Sequence, residues 1–365
     1  MKRPLEQISS ENRRPLLQLS VSELSRWLKD SGYQPWYARA IRRWVLFKRA
    51  VNFEEMSDLP KALRQLLIEE FVPLAARPAR SLLATDGTRK LLLQMWDGED
   101  IECVMIPDRD RRTACISTQV GCGMGCVFCA SGLQGVLRNL APGEILEQLV
   151  LLRNLLPPGE RLSHIVVMGM GEPLANLDNL LAALEDATAK EGLGISARHV
   201  TISTVGIPIK MKRLAETGKP YSLAVSLHAP SEDLRTRIVP TNNKTGLHAI
   251  LDAAEDYYRR TGRQVTFEYV LLRDINDRPA EAEQLAELLQ GRGAHINLIP
   301  FNEVDGLPYR RPTDERLTRF VEILQKAGLF VHVRKRKGSE INAACGQLRR
   351  QARQEKENSK AQIVT

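Results

Sequence analysis

The sequence predicts an α/β fold: a partial (β/α)6 barrel, preceded by a small β meander and an N-terminal helical accessory domain. Apolar, β-rich runs at 114–118, 164–168, 199–204, 221–227, 265–271, 294–299 and 328–333 alternate with helical patterns at 143–155, 175–190, 209–217, 247–260, 280–289 and 314–327. Such alternation sets parallel strands beside crossover helices, and about six units are too few to close an eight-fold barrel. Before the barrel, apolar residues recur with a strand period over 77–107 and with a helical period from 16 to about 71.

Residues 1–15 are polar and expected to be disordered, and 16–75 form the accessory domain. Ser20 and Glu23 make a capping box opening a helix over 21–30, which Gly32 stops. Pro35 opens a second helix in which Trp36, Ala40, Ile41, Trp44 and Val45 form an apolar stripe. Arg39, Arg42, Arg43, Lys48 and Arg49 crowd the remainder, fitting either a solvated face or a surface for RNA phosphate. Ser57, Asp58, Leu59 and Pro60 start a third helix reaching about Glu70. In the meander and linker, 76–110, the turn pairs Asp86-Gly87 and Asp97-Gly98 flank 88–96. The last strand puts Glu102 and Val104 on one face and Cys103 and Met105 on the other, and a solvent-facing edge carboxylate is the plain reading of Glu102. The barrel spans 111–348, and 349–365 is a basic, mixed-charge tail expected to be disordered.

The chain has 365 residues, 43% hydrophobic and 26% charged, with a net charge of +8, which makes an acidic partner such as nucleic acid plausible. Its N-terminus has no apolar signal region and no stretch is apolar enough to span a membrane, so the cytoplasm is the expected compartment. Thiols stay reduced there, and the six cysteines read as metal or redox chemistry.

Cys122, Cys126 and Cys129 stand in a C-x-x-x-C-x-x-C arrangement, with glycines at 121, 123 and 125 and Phe128 before the last thiol. Three thiolates this close can converge on one metal centre, and glycine permits the positive φ values that wrapping it needs. Structural zinc takes four protein ligands, and no fourth Cys or His lies nearby in sequence. An iron–sulfur cluster held by three thiolates leaves one iron open.

Position within the barrel adds to this, because active sites of parallel βα barrels lie at the C-terminal ends of strands. The cysteine loop follows the first strand, and Met168-Gly169-Met170-Gly171-Glu172-Pro173 follows the second. Ser203 and Thr204 end the third, Ser226-Leu227-His228 the fourth, and Pro300-Phe301-Asn302 follows the sixth. Taken singly, His228 reads as a structural histidine and Glu172 as a helix cap; together they make a polar cradle beside the thiols. Gly121 and Gly123 do not continue into a dinucleotide fingerprint, since position 126 is Cys. Cys115 and Cys345, taken alone, read as buried small hydrophobes.

The cysteine spacing resembles that of radical S-adenosylmethionine (SAM) enzymes, in which the open iron chelates SAM. With Met168–Asn176, Leu298–Asn302 and Ala343-Ala344-Cys345-Gly346-Gln347-Leu348, nearly the whole chain resembles the RlmN family, radical SAM methyltransferases of adenine C2 in ribosomal and transfer RNA. The resemblance implies a [4Fe–4S] cluster on Cys122, Cys126 and Cys129 and two SAM molecules per turnover. It further implies SAM contacts from Gly171, Glu172, Ser203, Ser226, Leu227, His228 and Asn302, an electron donor such as flavodoxin or ferredoxin, and a monomer. In the implied scheme Cys345 takes a methyl group from one SAM. A second SAM, reduced by the cluster, gives a 5′-deoxyadenosyl radical that takes hydrogen from this S-methyl group. The carbon radical adds to adenine C2 to give a covalent protein–RNA adduct; loss of the C2 proton and attack by Cys115 on Cys345 then free the methylated RNA and leave a disulfide. Glu102 matches an acidic residue near the adenine, a candidate proton acceptor.

The related Cfr family methylates C8 and typically has Ala where this chain has Pro173. Two positions depart from the RlmN pattern: Asn342 replaces a common Asp, which questions a charge near Cys345, and Cys103 replaces a common Thr, read as packing. Competing readings are a Cfr-like C8 methyltransferase, a radical SAM enzyme acting on a peptide or small molecule, and a non-enzymatic zinc-stabilised RNA-binding protein.

Overall fold

The computed structural model describes residues 13–348. The segments 1–12 and 349–365, expected to be disordered, lie outside the described residues. Disorder was expected to extend to residue 15, yet Arg14–Pro15 forms strand β1, parallel to β2 (Phe71–Val72). The Arg14 guanidinium lies 4.6 Å above the Phe71 ring, and the adjoining Leu16 and Leu17 are buried, which ties this segment down.

Helix α1 (Val21–Asp30) starts at the expected capping box: Ser20 N donates to Glu23 at 2.8 Å and Glu23 N donates to the Ser20 hydroxyl. Helices α2 (Tyr37–Leu46) and α3 (Lys61–Glu70) follow. The buried face of α2 differs from the expected stripe. Trp36 is exposed, whereas Arg42 is buried beside Ile41 and Val45. Arg42 can be buried because Asp186 of the barrel meets it at 2.5 Å and the Leu19 carbonyl accepts at 2.6 Å. Arg49 likewise donates to the carbonyls of Leu156 and Glu160. Arg42 and Arg49 thus fasten the accessory helices to the barrel, leaving Arg39, Arg43 and Lys48 exposed.

Strands β3 (Arg77–Leu83), β4 (Arg89–Gln94) and β5 (Asp100–Asp108) form the antiparallel meander. Its two turns repeat one geometry, with Asp86 and Asp97 accepting from the amides of Thr88 and Glu99 and Gly87 and Gly98 at φ 80° and 82°. β5 pairs with β6 (Arg111–Cys115), so the meander continues the barrel sheet.

A ribbon of β7 (Gln119–Gly121) and β8 (Val136–Asn139) brackets the cysteine loop. Then come α4 (Pro142–Asn154), β9 (His164–Val167), α5 (Leu177–Thr188), β10 (Val200–Thr204), α6 (Pro208–Glu216) and β11 (Ser222–Ser226). The next crossover comprises α7 (Glu232–Ile238), α8 (Asn242–Thr245) and α9 (Leu247–Thr261). The chain continues through β12 (Thr266–Leu271), α10 (Pro279–Leu289), β13 (His295–Pro300), α11 (Asp314–Lys326) and β14 (Phe330–Val333). The sheet order is β14-β13-β12-β11-β10-β9-β6-β5-β4-β3, parallel from β6 to β14 and unjoined at its ends. It is the expected open barrel of β/α units, extended at one edge by the meander. A separate apolar cluster, including Phe128, Leu234, Val270 and Phe301, packs behind the cysteine loop where the strands end.

Candidate active site

The loops after β6 and β9 are locked together before any functional side chain is placed. Ser117 Oγ donates to the Glu102 carbonyl at 2.6 Å and accepts from Met170 N at 2.8 Å. Gln148 on α4 bonds both the amide and the carbonyl of Ser117. Gly171 sits at φ 105°, and a Cβ there would meet Gln119 at 2.7 Å. Only glycine allows this close approach, and Glu172 N then donates to Gln119 Oε1 at 2.8 Å.

A cavity at these strand ends is lined by Cys122, Cys126 and Cys129, and by Gly171, Glu172, Pro173, Ser203, Ser226, His228 and Asn302. Burial pushes the Cys122 thiol up to about 12 and Cys126 well above its ordinary value, and the charges of neighbouring thiolates add to both shifts. Holding the three as thiolates would take a positive centre, as a cluster provides. Among the described residues no three His, Cys, Asp or Glu side chains gather closely enough for one metal ion. The three thiols share one loop and one cavity, and three thiolates leave one iron of a four-iron cluster open. The donor set therefore fits an iron–sulfur cluster with an open position.

Glu172 is buried, which raises its pKa, while the Thr204 side chain and the amides of Val205 and Leu174 favour its charged form. It is a carboxylate held ready at the cavity wall. His228, at φ 63°, stands edge-on to Phe128 with ring centroids 4.9 Å apart. Its Nδ1 accepts from Val270 N at 3.1 Å, which leaves the ring proton on Nε2. Burial and then the nearby Arg235 lower its pKa to about 3, so the ring is a neutral donor. Leu227 departs from the expected set: its side chain is fully buried in the core and does not line the cavity, and its carbonyl accepts from Arg235 Nε.

Cys345 comes to the same wall from the far end of the chain. Ala130 N donates to the Gly346 carbonyl at 2.8 Å, Ser131 Oγ to Leu348, and Asn302 Nδ2 to the Cys345 carbonyl at 3.2 Å. A second cavity lies on the other side of Cys345 and contains Cys115. Met168, Ile299, Asn302, Arg334 and Cys345 line both cavities and form the partition. Burial, and then the charge of Cys345, push the Cys115 thiol up to about 12, against the opposing effect of Arg334. The disulfide expected from turnover is not formed here, since all six cysteines are free thiols.

Glu102 is also not where the plain reading put it. β5 lies inside the sheet between β4 and β6, so Glu102 is buried and pairs with Lys90 Nζ at 2.8 Å. It lines neither cavity. Lys90 also donates to the Asn342 carbonyl at 3.0 Å, so position 342 contributes backbone rather than charge to that contact. Two site residues escaped the sequence reading. Glu268 on β12 lines the first cavity, accepts from Asn297 at 3.0 Å and faces Arg334 at 3.6 Å. A lone carboxylate in the apolar run of the fifth strand was the available signal for Glu268. Arg334, just past β14, followed the last strand and had none.

Comparisons with known proteins agree with this geometry. The radical SAM superfamily model matches residues 116–289, and the model of the ribosomal RNA large subunit methyltransferase N-terminal domain matches 15–72. The probable dual-specificity RNA methyltransferase RlmN of Rhodopirellula baltica is 54% identical, over 92% of this chain and 90% of that protein. The protein of the same description from Symbiobacterium thermophilum is 45% identical, over 93% and 92% respectively. The crystal structure of a radical SAM methyltransferase from Sphaerobacter thermophilus superposes with a TM-score of 0.89 at 41% identity, covering 93% of this chain and all of that one.

Proposed function

The chain belongs to the RlmN family of radical SAM RNA methyltransferases, and from that premise we propose that it methylates adenine C2 in ribosomal and transfer RNA through a methyl group carried on Cys345. The observation supporting this reading is that Cys345 lines both cavities, one with the three loop thiols and one with Cys115. A carrier must meet its methyl donor on one side and its acceptor on the other. When bound, the cluster and SAM supply one-electron, hydrogen-abstracting chemistry. In this proposal Cys122, Cys126 and Cys129 hold the cluster. Glu172 takes the ammonium of SAM; Gly171, Ser203, Ser226, Asn302 and the backbone of Leu227 meet its other polar groups, and neutral His228 donates from Nε2.

Cys115 acts as the resolving thiol, with Arg334 favouring its thiolate. Glu102 serves as proton acceptor only after the segment over Lys90 shifts, because its carboxylate is buried. Residues 16–75 bind RNA, two SAM molecules are used per turnover, and flavodoxin or ferredoxin supplies electrons to a cytoplasmic monomer. Among the described residues no helix is long and apolar enough to cross a membrane. Pro173 favours C2 over C8. Chromatography and mass spectrometry of ribosomal and transfer RNA from cells with and without the protein test the reading. Loss of 2-methyladenosine is expected without the protein, whereas loss of 8-methyladenosine overturns the C2 assignment.

A further inference from the structure

The second cavity holds an excess of positive charge that the chemistry above does not use. Arg311, Arg334, Lys335, Arg336 and Lys337 line it together with Cys115 and Cys345, and no carboxylate lines it among the described residues. These cations do not have equal freedom. Arg334 is committed to Glu268 and to the sulfur of Met168. Lys337 lies in the field of Asp86 and Asp108. Arg311 and Arg336 differ from both. Among the described residues neither forms a salt bridge, and Arg311 donates only to the Pro300 carbonyl, at 3.2 Å. Burial and then the like charge of Arg336 lower the Arg311 pKa, outweighing the opposing effects of Asp314 and Glu303. Two guanidiniums lining one cavity, neither of them in a salt bridge, fit an anion, and guanidinium matches phosphate oxygens in a bidentate fashion.

We propose that Arg311 and Arg336 clamp the phosphodiester next to the target adenosine, so that its base enters the second cavity toward Cys345. The inference rests on the RNA reading above and extends it by assigning the backbone contact at the reaction centre. A base reaching Cys345 by this route brings its own phosphate to the mouth of the cavity, where the free guanidiniums lie. Contacts of this kind set register and orientation without reading sequence.

The test uses the full chain with a labelled RNA hairpin carrying an unpaired adenosine, and follows affinity between about 50 and 200 mM salt. Arg311→Gln with Arg336→Gln should flatten the plot of log affinity against log salt by about 0.7 for each single-strand phosphate that is no longer neutralised. The paired Lys substitutions should restore much of the slope, and SAM affinity checks that the double variant is folded. Arg336→Gln alone, at an exposed position, gives the same reading if the double variant does not fold. Arg310→Gln, outside the cavity, is the control. An unchanged slope in the Gln variants, or equal flattening by Arg310→Gln, overturns the clamp alone. Inorganic phosphate that displaces RNA no better than chloride at matched ionic strength supports an RNA phosphodiester as the ligand, and selective displacement would point instead to a free-phosphate site. A wild-type protein that binds no RNA overturns both the clamp and the reading beneath it.

Discussion

Two sets of cysteines reach one partition by different routes. Cys122, Cys126 and Cys129 arrive on a single loop whose turns are made by Gly121 and Gly125, at φ 82° and 67°. Cys115 and Cys345 are 345 − 115 = 230 residues apart and meet only because β6 ends where the 345–348 segment is pinned to the loop by Ala130 and Ser131. The first set is a property of a short peptide, the second of a whole fold. Local spacing therefore suggests a metal centre, while the roles proposed for Cys115 and Cys345 depend on contacts that spacing cannot express.

The largest expected effect attacks the local half. Replacing Cys122, Cys126 or Cys129 by Ala should abolish reductive SAM cleavage and lower bound iron, measured anaerobically after reconstitution. A single variant that still cleaves SAM would break the view that all three thiols act as one set. The assembled half should split in two. Cys345→Ala should stop methyl transfer to protein and to RNA alike. Cys115→Ala should still allow methylation of Cys345 and addition to RNA, then stall as a covalent protein–RNA species visible as a nuclease-sensitive band. Free turnover by Cys115→Ala would return Cys115 to the core residues.

A smaller effect sharpens the pairing itself. Burial holds the Cys115 thiol at about 12, so at neutral pH only a small fraction is thiolate. Release of RNA from the adduct should therefore speed up as pH rises above neutrality, roughly in proportion to thiolate fraction. Arg334 opposes the burial effect, and its own charge is held chiefly by Cys345, then by Glu268 and Cys115. Arg334→Gln should move the profile upward by about one pH unit or more, with Arg334→Lys intermediate. A profile unmoved by Arg334→Gln would mean that Arg334 is a packing residue for this step.

The same division separates what the sequence revealed from what it hid. The capping box at Ser20, the paired Asp-Gly turns and the polar strand ends at Ser203, Ser226 and Asn302 are set by neighbours within a few residues, and each was legible. Glu102 was misread because alternation assigns a face but not a neighbour: pairing of β5 with β6 removes the edge, and Lys90 makes the buried charge tolerable. At Leu227 a position at a strand end does not say whether side chain or backbone faces the cavity, and the side chain is buried in the core. Glu268 lies in the middle of β12, where the strand-end rule does not point, and only its lone charge within an apolar run marks it.

Helix α2 offers the smallest effect and the finest test, because one local run of arginines has been divided by the fold. Arg39 and Arg43 face solvent with the exposed aromatics Trp36 and Phe47, and Arg43 lies 5.4 Å over the Phe47 ring. Cations interleaved with aromatics suit a single-stranded nucleic acid, through phosphate contact and base stacking. Arg42 points the other way, into its pair with Asp186. Arg39→Gln with Arg43→Gln should weaken RNA binding a few-fold and flatten its salt dependence by about 0.7 per phosphate released, with no change in melting temperature. Arg42→Ala should do the reverse: it leaves Asp186 half-buried without its cation and should cost about 3 kcal/mol of stability. Its salt slope should match the parent protein under conditions where it remains folded. If Arg42→Ala flattens the salt slope and melts normally, the ion pair does not persist in solution and all three arginines belong to one RNA surface. If Arg39→Gln with Arg43→Gln leaves the slope unchanged, the exposed face of α2 is simply solvated, and RNA is held by the barrel.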